Sequence, residues 1–372
     1  MTGKERVRTA LDLQAPDMVP YGEFAIDFDT VEKILGRKTL LRNKAATLMA
    51  LWEGRWDEVA ESWVQDTIAL AEAVPLDIVS APCLPAKELD VPLKMDESTW
   101  EYSDGRVLKY SPVTNDFTVV HYPPGDWLPS DEEIAAAADP PEVPDFRVEA
   151  IRTVVDRLGD DRHITWGGAP EVAMPLFGGM ENGLSHYLTD PGRIKAWCEA
   201  QCEGARKSDR LWSSLGIDSV LWGADFSYNA GPFLPPALFG ELVAPYAARR
   251  VIAVRNAGLK VLKHCCGNNW ALLGEFIDIG YDCYQSIQPT AGMDLGELKK
   301  SVGDRMALWG GVAVETLVSG TPDEITREVK EAIAKGKPGG GYIFGTSHSV
   351  AVGTQYENWL AMMEAFESLR SY

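Results

Sequence analysis

Short runs of apolar, β-branched and aromatic residues recur along the chain. Each run ends in a glycine or polar residue and is followed by a stretch with helical spacing. Eight runs are predicted as strands, at 18–23, 77–80, 163–167, 219–223, 260–264, 282–285, 306–310 and 341–344. Strands that alternate with helices are typical of a parallel sheet. Eight of them predict the α/β class and a (β/α)₈ TIM barrel, with a doubly wound sheet as the alternative.

Helical segments fill the gaps between the predicted strands. Apolar residues at three-to-four spacing predict helices near 193–215, 236–257, 269–279, 322–334 and 357–369. Thr321 is expected to cap the fourth of these helices, and Pro322 suits its first turn. Residues 95–125 break the alternation with short strand-like runs around the Asp104-Gly105 turn. We expect one barrel domain over residues 1–372, with 95–125 as a small β-hairpin insertion after the second strand.

The composition and charge of the chain disfavour nucleic-acid-binding and membrane-binding functions. The chain has 372 residues, is 45% hydrophobic and carries a formal net charge of −20. An acidic chain without a basic run is a poor partner for nucleic acid or an anionic membrane surface. The N-terminal stretch lacks the apolar core of a signal peptide, and no apolar window is long enough to cross a membrane. Six irregularly spaced cysteines indicate reduced thiols, so a cytoplasmic location is expected.

The ends of the predicted strands carry the candidate chemistry, because these ends converge on one pocket in a barrel. His264 and Cys266 lie two residues apart at the end of the fifth strand, so both side chains are expected to face the pocket. An imidazole and a thiolate suit zinc, and His348, after the eighth strand, is the expected third ligand. The alternative is a packed histidine beside two buried thiols.

Other residues that follow strand ends are candidates for catalysis or substrate binding. Asp225 lies in an aromatic segment that suits proton transfer, although a carboxylate there also suits a turn cap. Glu23, after the first strand, is the second candidate catalytic acid. Tryptophans that end strands suit the mouth of a pocket for a planar ligand. The expected substrate-binding residues are Trp166, Glu171, Trp222, Tyr228 and Gln288.

Several motifs together resemble the uroporphyrinogen decarboxylase superfamily, and particularly its corrinoid-linked methyltransferase branch. They are KHCCGN at 263–268, SIQPTAGMDLGELKKSVGDRMALWGGV at 286–312, GTPDEITREV at 320–329, GGGYIFGTSH…ENW at 339–359 and KERVRTALDLQAPDMVPYGEF at 4–24. The resemblance implies a (β/α)₈ barrel. It also implies a zinc site formed by a His-x-Cys pair, matched by His264 and Cys266, and a third ligand near the last strand.

The chain departs from the family pattern in two places. The third ligand in the methyltransferases is usually cysteine, whereas His348 occupies that place here, as a histidine does in the decarboxylases. The decarboxylases carry an arginine-rich segment after the first strand, but this chain has the acidic GEFAIDFD at 22–29. Arg37 and Arg42 are the nearest cations, and both positions are predicted to be helical. The acidic segment would repel a substrate with several carboxylates, and it therefore disfavours porphyrinogen decarboxylation.

The resemblance predicts a methyltransferase that moves a methyl group between a small substrate and the cobalt of a corrinoid protein. The donor would be a methoxy or methylamine compound, whose demethylation zinc assists, or the acceptor a thiol. The corrinoid would be carried by a partner, since the DxHxxG signature is absent; a homodimer is also allowed. The alternatives are a metal-free decarboxylase-like lyase acting on a small carboxylate and a non-catalytic binding barrel.

Overall fold

The computed structural model describes residues 1–125 and 127–372. Its strands are β1 (Ile78–Ala81), β2 (Leu93–Lys94), β3 (Thr99–Glu101), β4 (Val107–Ser111), β5 (Asp116–His121), β6 (His163–Trp166), β7 (Ser219–Trp222), β8 (Ser227–Tyr228), β9 (Gly231–Pro232), β10 (Lys260–His264), β11 (Cys283–Ile287), β12 (Ala307–Gly310) and β13 (Tyr342–Ile343). The helices are α1 (Gly3–Leu11), α2 (Phe28–Leu35), α3 (Lys44–Trp52), α4 (Trp56–Ala73), α5 (Asp131–Ala138), α6 (Asp145–Leu158), α7 (Gly179–Thr189), α8 (Pro191–Ala205), α9 (Asp209–Ser214), α10 (Pro236–Leu242), α11 (Ala244–Asn256), α12 (Leu273–Ile279), α13 (Leu295–Val302), α14 (Val314–Ser319), α15 (Pro322–Gly336) and α16 (Tyr356–Leu369). Among the described residues, no helix combines the length and the apolar character needed to cross a membrane.

One parallel sheet organises the molecule. Its strand order is β1-β6-β7-β10-β11-β12-β13, and every neighbouring pair is parallel. Consecutive strands are connected through helices, as parallel pairing requires. The predicted α/β class and the parallel sheet are therefore confirmed. The C-terminal ends of all seven strands meet at one edge of the sheet, and this edge carries the candidate site.

The predicted first strand, 18–23, is present only as a short connection between the two edges of the sheet. Tyr21 forms an isolated parallel bridge with Phe344, and its carbonyl accepts the N–H of Asp77 at 2.8 Å. Pro20 has no N–H to donate, and the N–H of Tyr21 donates to the Asp77 carboxylate at 2.8 Å. A regular ladder therefore cannot form, yet the segment still lies between β13 and β1.

The two faces of the sheet are both buried. Side chains on the inner face, including Leu221, Leu262 and Trp309, form a small cluster that α1 covers with Val7 and Leu11. Side chains on the outer face pack against the surrounding helices in a much larger cluster. Because side chains alternate along a strand, every strand of this sheet except β6 contributes to both clusters, and the remaining β6 residues, His163 and Thr165, are polar. This alternation decides which strand-end residues face the candidate site.

The segment after β1 forms a separate antiparallel sheet. Where a hairpin at 95–125 was predicted, the structure has four strands in the order β2-β3-β4-β5. Trp52, at the end of α3, contacts Trp100 and Phe117 of this sheet, with ring centroids 5.9 and 5.2 Å away. The sheet is thus attached to the main body through aromatic packing.

Helix α15 begins as predicted. Its N-cap is Thr321, whose hydroxyl accepts the Glu324 N–H at 3.4 Å. The Glu324 carboxylate accepts the Thr321 N–H in return at 2.9 Å, and Pro322 occupies the first turn. The predicted cap is therefore confirmed.

Candidate metal centre and adjoining cavity

Three side chains meet where β10 and β13 end. His264 is the last residue of β10, Cys266 lies in the loop that follows, and His348 lies in the loop after β13. One ligand atom from each of them can be chosen such that all three lie within 4.8 Å of one another. His264 is buried, Cys266 is half-buried and His348 is exposed, so the cluster is open on one side. Tertiary structure thus brings together the three side chains that the sequence suggested as ligands, and they form the candidate metal cluster.

The orientation of the His264 ring is set by hydrogen bonds. Its Nδ1 contacts Oε1 of Gln285, whose own Nε2 donates to the Thr346 carbonyl at 3.4 Å. An amide oxygen only accepts, so Nδ1 carries the proton and Nε2 presents its lone pair. That Nε2 lies 3.2 Å from the Cys266 sulfur. Burial lowers the pKa of His264 to about 3, which keeps the ring neutral and able to bind a metal.

Cys266 is held by contacts of both its backbone and its sulfur. Its N–H donates to Oδ1 of Asp225 at 2.7 Å, and its sulfur lies 3.3 Å from the Ser286 hydroxyl. Burial, together with the nearby Asp225 carboxylate, raises the pKa of the thiol to about 12. The sulfur is therefore protonated without a metal, and a bound dication would displace this proton.

The donor set fits zinc. Two imidazoles and one thiol are among the ligands that Zn²⁺ takes, and three protein ligands leave a fourth position for water or substrate. The hydrogen bond from Nδ1 of His264 to Gln285 is the kind of contact that orients metal-binding histidines. The exposed side of the cluster gives substrate access to the fourth position.

Asp225 and Gln288 hold the loop that carries Cys266. Besides the Asp225 contact, Oε1 of Gln288 accepts the Gly267 N–H at 3.0 Å. Gly267 has a φ of +81°, and a Cβ there would lie 2.7 Å from the backbone of Tyr228. Only glycine fits this close approach, so the loop geometry depends on it. The contact of Asp225 matches the turn-cap alternative, while its exposed carboxylate still borders the metal cluster.

A cavity of about 450 Å³ adjoins the metal cluster. Phe24 connects the two, because it lines the cavity and also stacks on His264 with ring centroids 3.9 Å apart. The polar wall includes Glu23, Arg42 and Lys44. The apolar wall includes Leu41, Trp63, Leu70, Leu76, Ile78 and Val79. The cavity therefore offers an apolar chamber with ionisable groups on its wall.

Glu23 is a buried acid on this wall. Its Oε2 accepts the Thr346 N–H at 3.0 Å and also the Thr346 hydroxyl. Burial raises the pKa of Glu23 to about 8, against the two Thr346 hydrogen bonds, which lower it. The carboxyl is therefore mostly protonated at neutral pH and could donate a proton to a ligand in the cavity.

The raised pKa of Glu23 predicts a pH-dependent stability. Between its ordinary pKa of 4.5 and the raised value of about 8, the folded protein holds a proton that the unfolded chain has released. The free energy of unfolding should therefore fall with rising pH across this window, by up to about 1.4 kcal/mol per pH unit. Urea denaturation at several pH values should show a shallower fall for Glu23→Gln than for the wild type. Parallel profiles for both proteins would contradict the prediction.

None of the five expected substrate-binding residues lines this cavity, and three of them make contacts elsewhere, which corrects the sequence interpretation for those three. Trp166 and Trp222 face the helices: the ring of Trp166 lies 4.2 Å from that of Trp212, and Nε1 of Trp222 donates to the Ala169 carbonyl at 3.0 Å. Alternation along the buried strands turns both indoles outward. Glu171 pairs with the fully buried Lys263.

Tyr228 is exposed on a hairpin, unlike the buried Trp166 and Trp222. It lies in the β8–β9 hairpin, is 54% exposed and stacks on Phe233. Its carbonyl accepts the Asn268 N–H at 2.9 Å, so it borders the loop that carries Cys266. Tyr228 therefore lies on the outer rim of the metal cluster and does not line the cavity.

The cavity wall includes Arg42, which was predicted to be helical. Helix α2 ends at Leu35, so neither Arg37 nor Arg42 is helical. Arg42 lies in a turn with a φ of +60°, donates to Oδ1 of Asp27 at 3.1 Å and to the Ser349 hydroxyl at 3.2 Å. Apolar spacing could not reveal this turn. The sequence signal for a cationic cavity wall is that Arg42 and Lys44 lie only two residues apart.

Most of the chain is similar in sequence to one family of known proteins. The family model for uroporphyrinogen decarboxylase (URO-D) matches residues 130–369. A uroporphyrinogen decarboxylase from Methylobacillus flagellatus is 34% identical over 79 residues, 21% of this chain and 22% of the relative. Another, from Saccharophagus degradans, is 27% identical over 203 residues, 54% of this chain and 49% of the relative. The chain thus spans about half or less of the length of these relatives.

A solved structure is similar over almost the full length. A methyltransferase from Methanosarcina mazei superposes with a TM-score of 0.69 and 18% identity, covering 99% of both chains. At this identity the likeness shows a common fold. It extends the similarity to residues 1–129, which the family model does not match.

Proposed function

The chain belongs to the uroporphyrinogen decarboxylase family, and we propose that it is a methyltransferase of that family. It would move a methyl group between a small substrate and the cobalt of a separate corrinoid protein. The observation that carries this proposal is the cluster of His264, Cys266 and His348, with ligand atoms within 4.8 Å. The similar Methanosarcina mazei protein is named as a methyltransferase, which supports the same activity here.

The proposed scaffold is a single (β/α)₈ barrel over residues 1–372, with 95–125 as an insertion. Seven parallel strands and the bridging segment at Tyr21 support an eight-stranded arrangement. The metal cluster then lies at the C-terminal face of the barrel, where active sites of this fold are found. The expected location is cytoplasmic, and the barrel could assemble as a homodimer.

The ligands proposed for zinc are His264, Cys266 and His348. Bound zinc would supply Lewis-acid chemistry, polarising a methoxy or methylamine heteroatom or lowering the pKa of a thiol. Gln285 orients His264 through Nδ1, and Asp225 holds the backbone of Cys266. Asp225 would also bind substrate at the open side, because its carboxylate is exposed beside the cluster.

Glu23 is proposed as the proton donor. Its protonated carboxyl lies on the cavity wall, and Phe24, the next residue, stacks on His264. In demethylation the heteroatom keeps the electron pair of the broken bond to methyl while the methyl group passes to Co(I). The heteroatom then needs a proton, which Glu23 can supply. Gln288 and Tyr228, on the loop side of the cluster, would complete the rim that contacts substrate.

A decarboxylase-like lyase is the second candidate, and one observation favours it. Arg42 and Lys44 line the cavity together with Glu23, which gives a substrate carboxylate two cationic side chains to bind. Both cations are partly neutralised, Arg42 by Asp27 and Lys44 by Asp116 at 2.8 Å. The thiol and two imidazoles have no evident task in this reaction.

Methyl transfer to free cob(I)alamin tests the proposal directly. Zinc-loaded protein is expected to demethylate at least one of a panel of methoxy, methylamine and methylthiol compounds, with loss of the Co(I) absorption. Removal of metal by a chelator should abolish the reaction, and added zinc should restore it. Release of CO₂ from a small carboxylate by the metal-free protein, without methyl transfer, would favour the lyase instead.

A further inference from the structure

Ser286 occupies an unusual backbone position beside the metal cluster. It lies in β11, is fully buried and has a φ of +80°, a left-handed conformation that serine rarely adopts. The pairing of β11 with β12 shifts register between Gln285 and Ile287, which marks a β-bulge at this serine. Strained residues of this kind concentrate at functional sites, because the surrounding structure must hold them in place.

The bulge changes where Ser286 points. In a regular strand, adjacent residues face opposite sides of the sheet, so Gln285 and Ser286 would diverge. Here both side chains reach the metal cluster: Gln285 contacts Nδ1 of His264, and the hydroxyl of Ser286 lies 3.3 Å from the sulfur of Cys266. The strained conformation thus allows two consecutive residues to contact two different ligands.

Both residues also contact the loop that carries the third ligand, His348. Gln285 donates to the Thr346 carbonyl at 3.4 Å, and the hydroxyl of Ser286 lies 2.6 Å from the Ser347 carbonyl. The hydroxyl has one proton and two neighbouring acceptors. While Cys266 is a thiol, the proton can go to the carbonyl. With a metal bound, the sulfur would be a thiolate, and rotation of the hydroxyl would let it donate to that sulfur instead.

We propose that Ser286 is a positioning residue for the metal-binding sulfur of Cys266, an inference that rests on the proposed function. Its hydroxyl bonds the loop after β13 while Cys266 is a thiol, and it would donate its one proton to the sulfur once a bound metal made that sulfur a thiolate. Bonds to an ionised acceptor are stronger than neutral ones. Gln285 performs the equivalent task for His264, so each ligand from the β10 side has its own partner in β11.

Two substitutions separate the hydroxyl from the backbone strain. Ser286→Ala removes the hydroxyl and keeps the strained φ, whereas Ser286→Gly removes the hydroxyl and relieves the strain. Zinc affinity is measured by competition with a chromophoric chelator, and unfolding of the metal-free proteins by urea. Loss of contacts that orient metal ligands typically weakens binding about 10–100-fold. We therefore expect this loss in both variants, although Ser286→Gly should unfold no more readily than Ser286→Ala.

A matched control and a second readout complete the test. Ser219→Ala removes a buried hydroxyl that contacts His163, away from the cluster, and should keep wild-type zinc affinity. The sulfur-to-metal absorption band of the cobalt-substituted protein should shift in both Ser286 variants. Wild-type affinity in both variants, or in the glycine variant alone, would overturn the role of the hydroxyl. Absence of zinc binding by the wild type would overturn the metal proposal as well.

Discussion

Replacing Cys266 with serine is expected to abolish zinc binding and methyl transfer. As a metal-bound thiolate, Cys266 would be the one anionic ligand of the three, because imidazole binds zinc in its neutral form. Loss of a direct ligand should cost more than the 10–100-fold or so that follows loss of an orienting contact. Zinc content after dialysis, measured by metal analysis, should fall from about one ion per chain in the wild type to a negligible level.

The neighbouring thiol provides the matched control. The sulfur of Cys265 points away from the cluster, where it accepts the Phe226 N–H at 3.2 Å and contacts Asn269 at 3.1 Å. Cys265→Ser should therefore retain zinc. Equal and negligible zinc in the wild type and in Cys266→Ser would remove the metal from the proposed mechanism.

The third ligand can be tested by exchange. His348→Ala should weaken zinc binding, whereas His348→Cys should retain it, because cysteine is the usual third ligand in the corrinoid-linked methyltransferases that the sequence resembles. His348 is exposed, so neither substitution disturbs a buried core. Retention of full affinity by His348→Ala would show that this imidazole is not a ligand.

The second large effect is expected on stability, at the pair formed by Glu171 and Lys263. Lys263 is fully buried on the outer face of β10, and its ammonium contacts the Glu171 carboxylate and the Ala224 carbonyl at 2.6 Å. It also lies 4.1 Å from the centre of the Phe226 ring. Glu171→Ala would leave a buried charge without its counter-ion, which typically costs about 3–5 kcal/mol.

Urea denaturation of the metal-free protein measures this loss. The double variant Lys263→Met/Glu171→Met removes both charges and should regain most of the stability lost in Glu171→Ala. Wild-type stability of Glu171→Ala would contradict the structural role. It would also reopen substrate binding as the function of Glu171.

Much of the candidate site could be predicted because its residues follow from local rules. The two-residue spacing of His264 and Cys266 at a strand end indicates a common direction for their side chains. The position of His348 after another strand of the same sheet indicates the same edge. These inferences need only the order of the elements along the chain and the alternation of side chains.

Other positions could not be predicted because several conformations suit the same sequence. Both faces of a parallel sheet are buried, so apolar runs do not reveal which residues point inward, and Trp166 and Trp222 were assigned to the wrong face. The turn at Arg42 and the bulge at Ser286 depend on left-handed backbone conformations in residues other than glycine. Neither residue type signals such a conformation.

The sequence by itself therefore determined the α/β class, the parallel sheet and the identity of the three candidate ligands. Tertiary structure decided which acids and aromatics face the cavity, and it brought Arg42, Phe24 and Ser286 to the site. The physical reason is that spacing along one strand is a local property. The facing of a buried strand and the strain in a turn or bulge depend on contacts between segments distant in sequence.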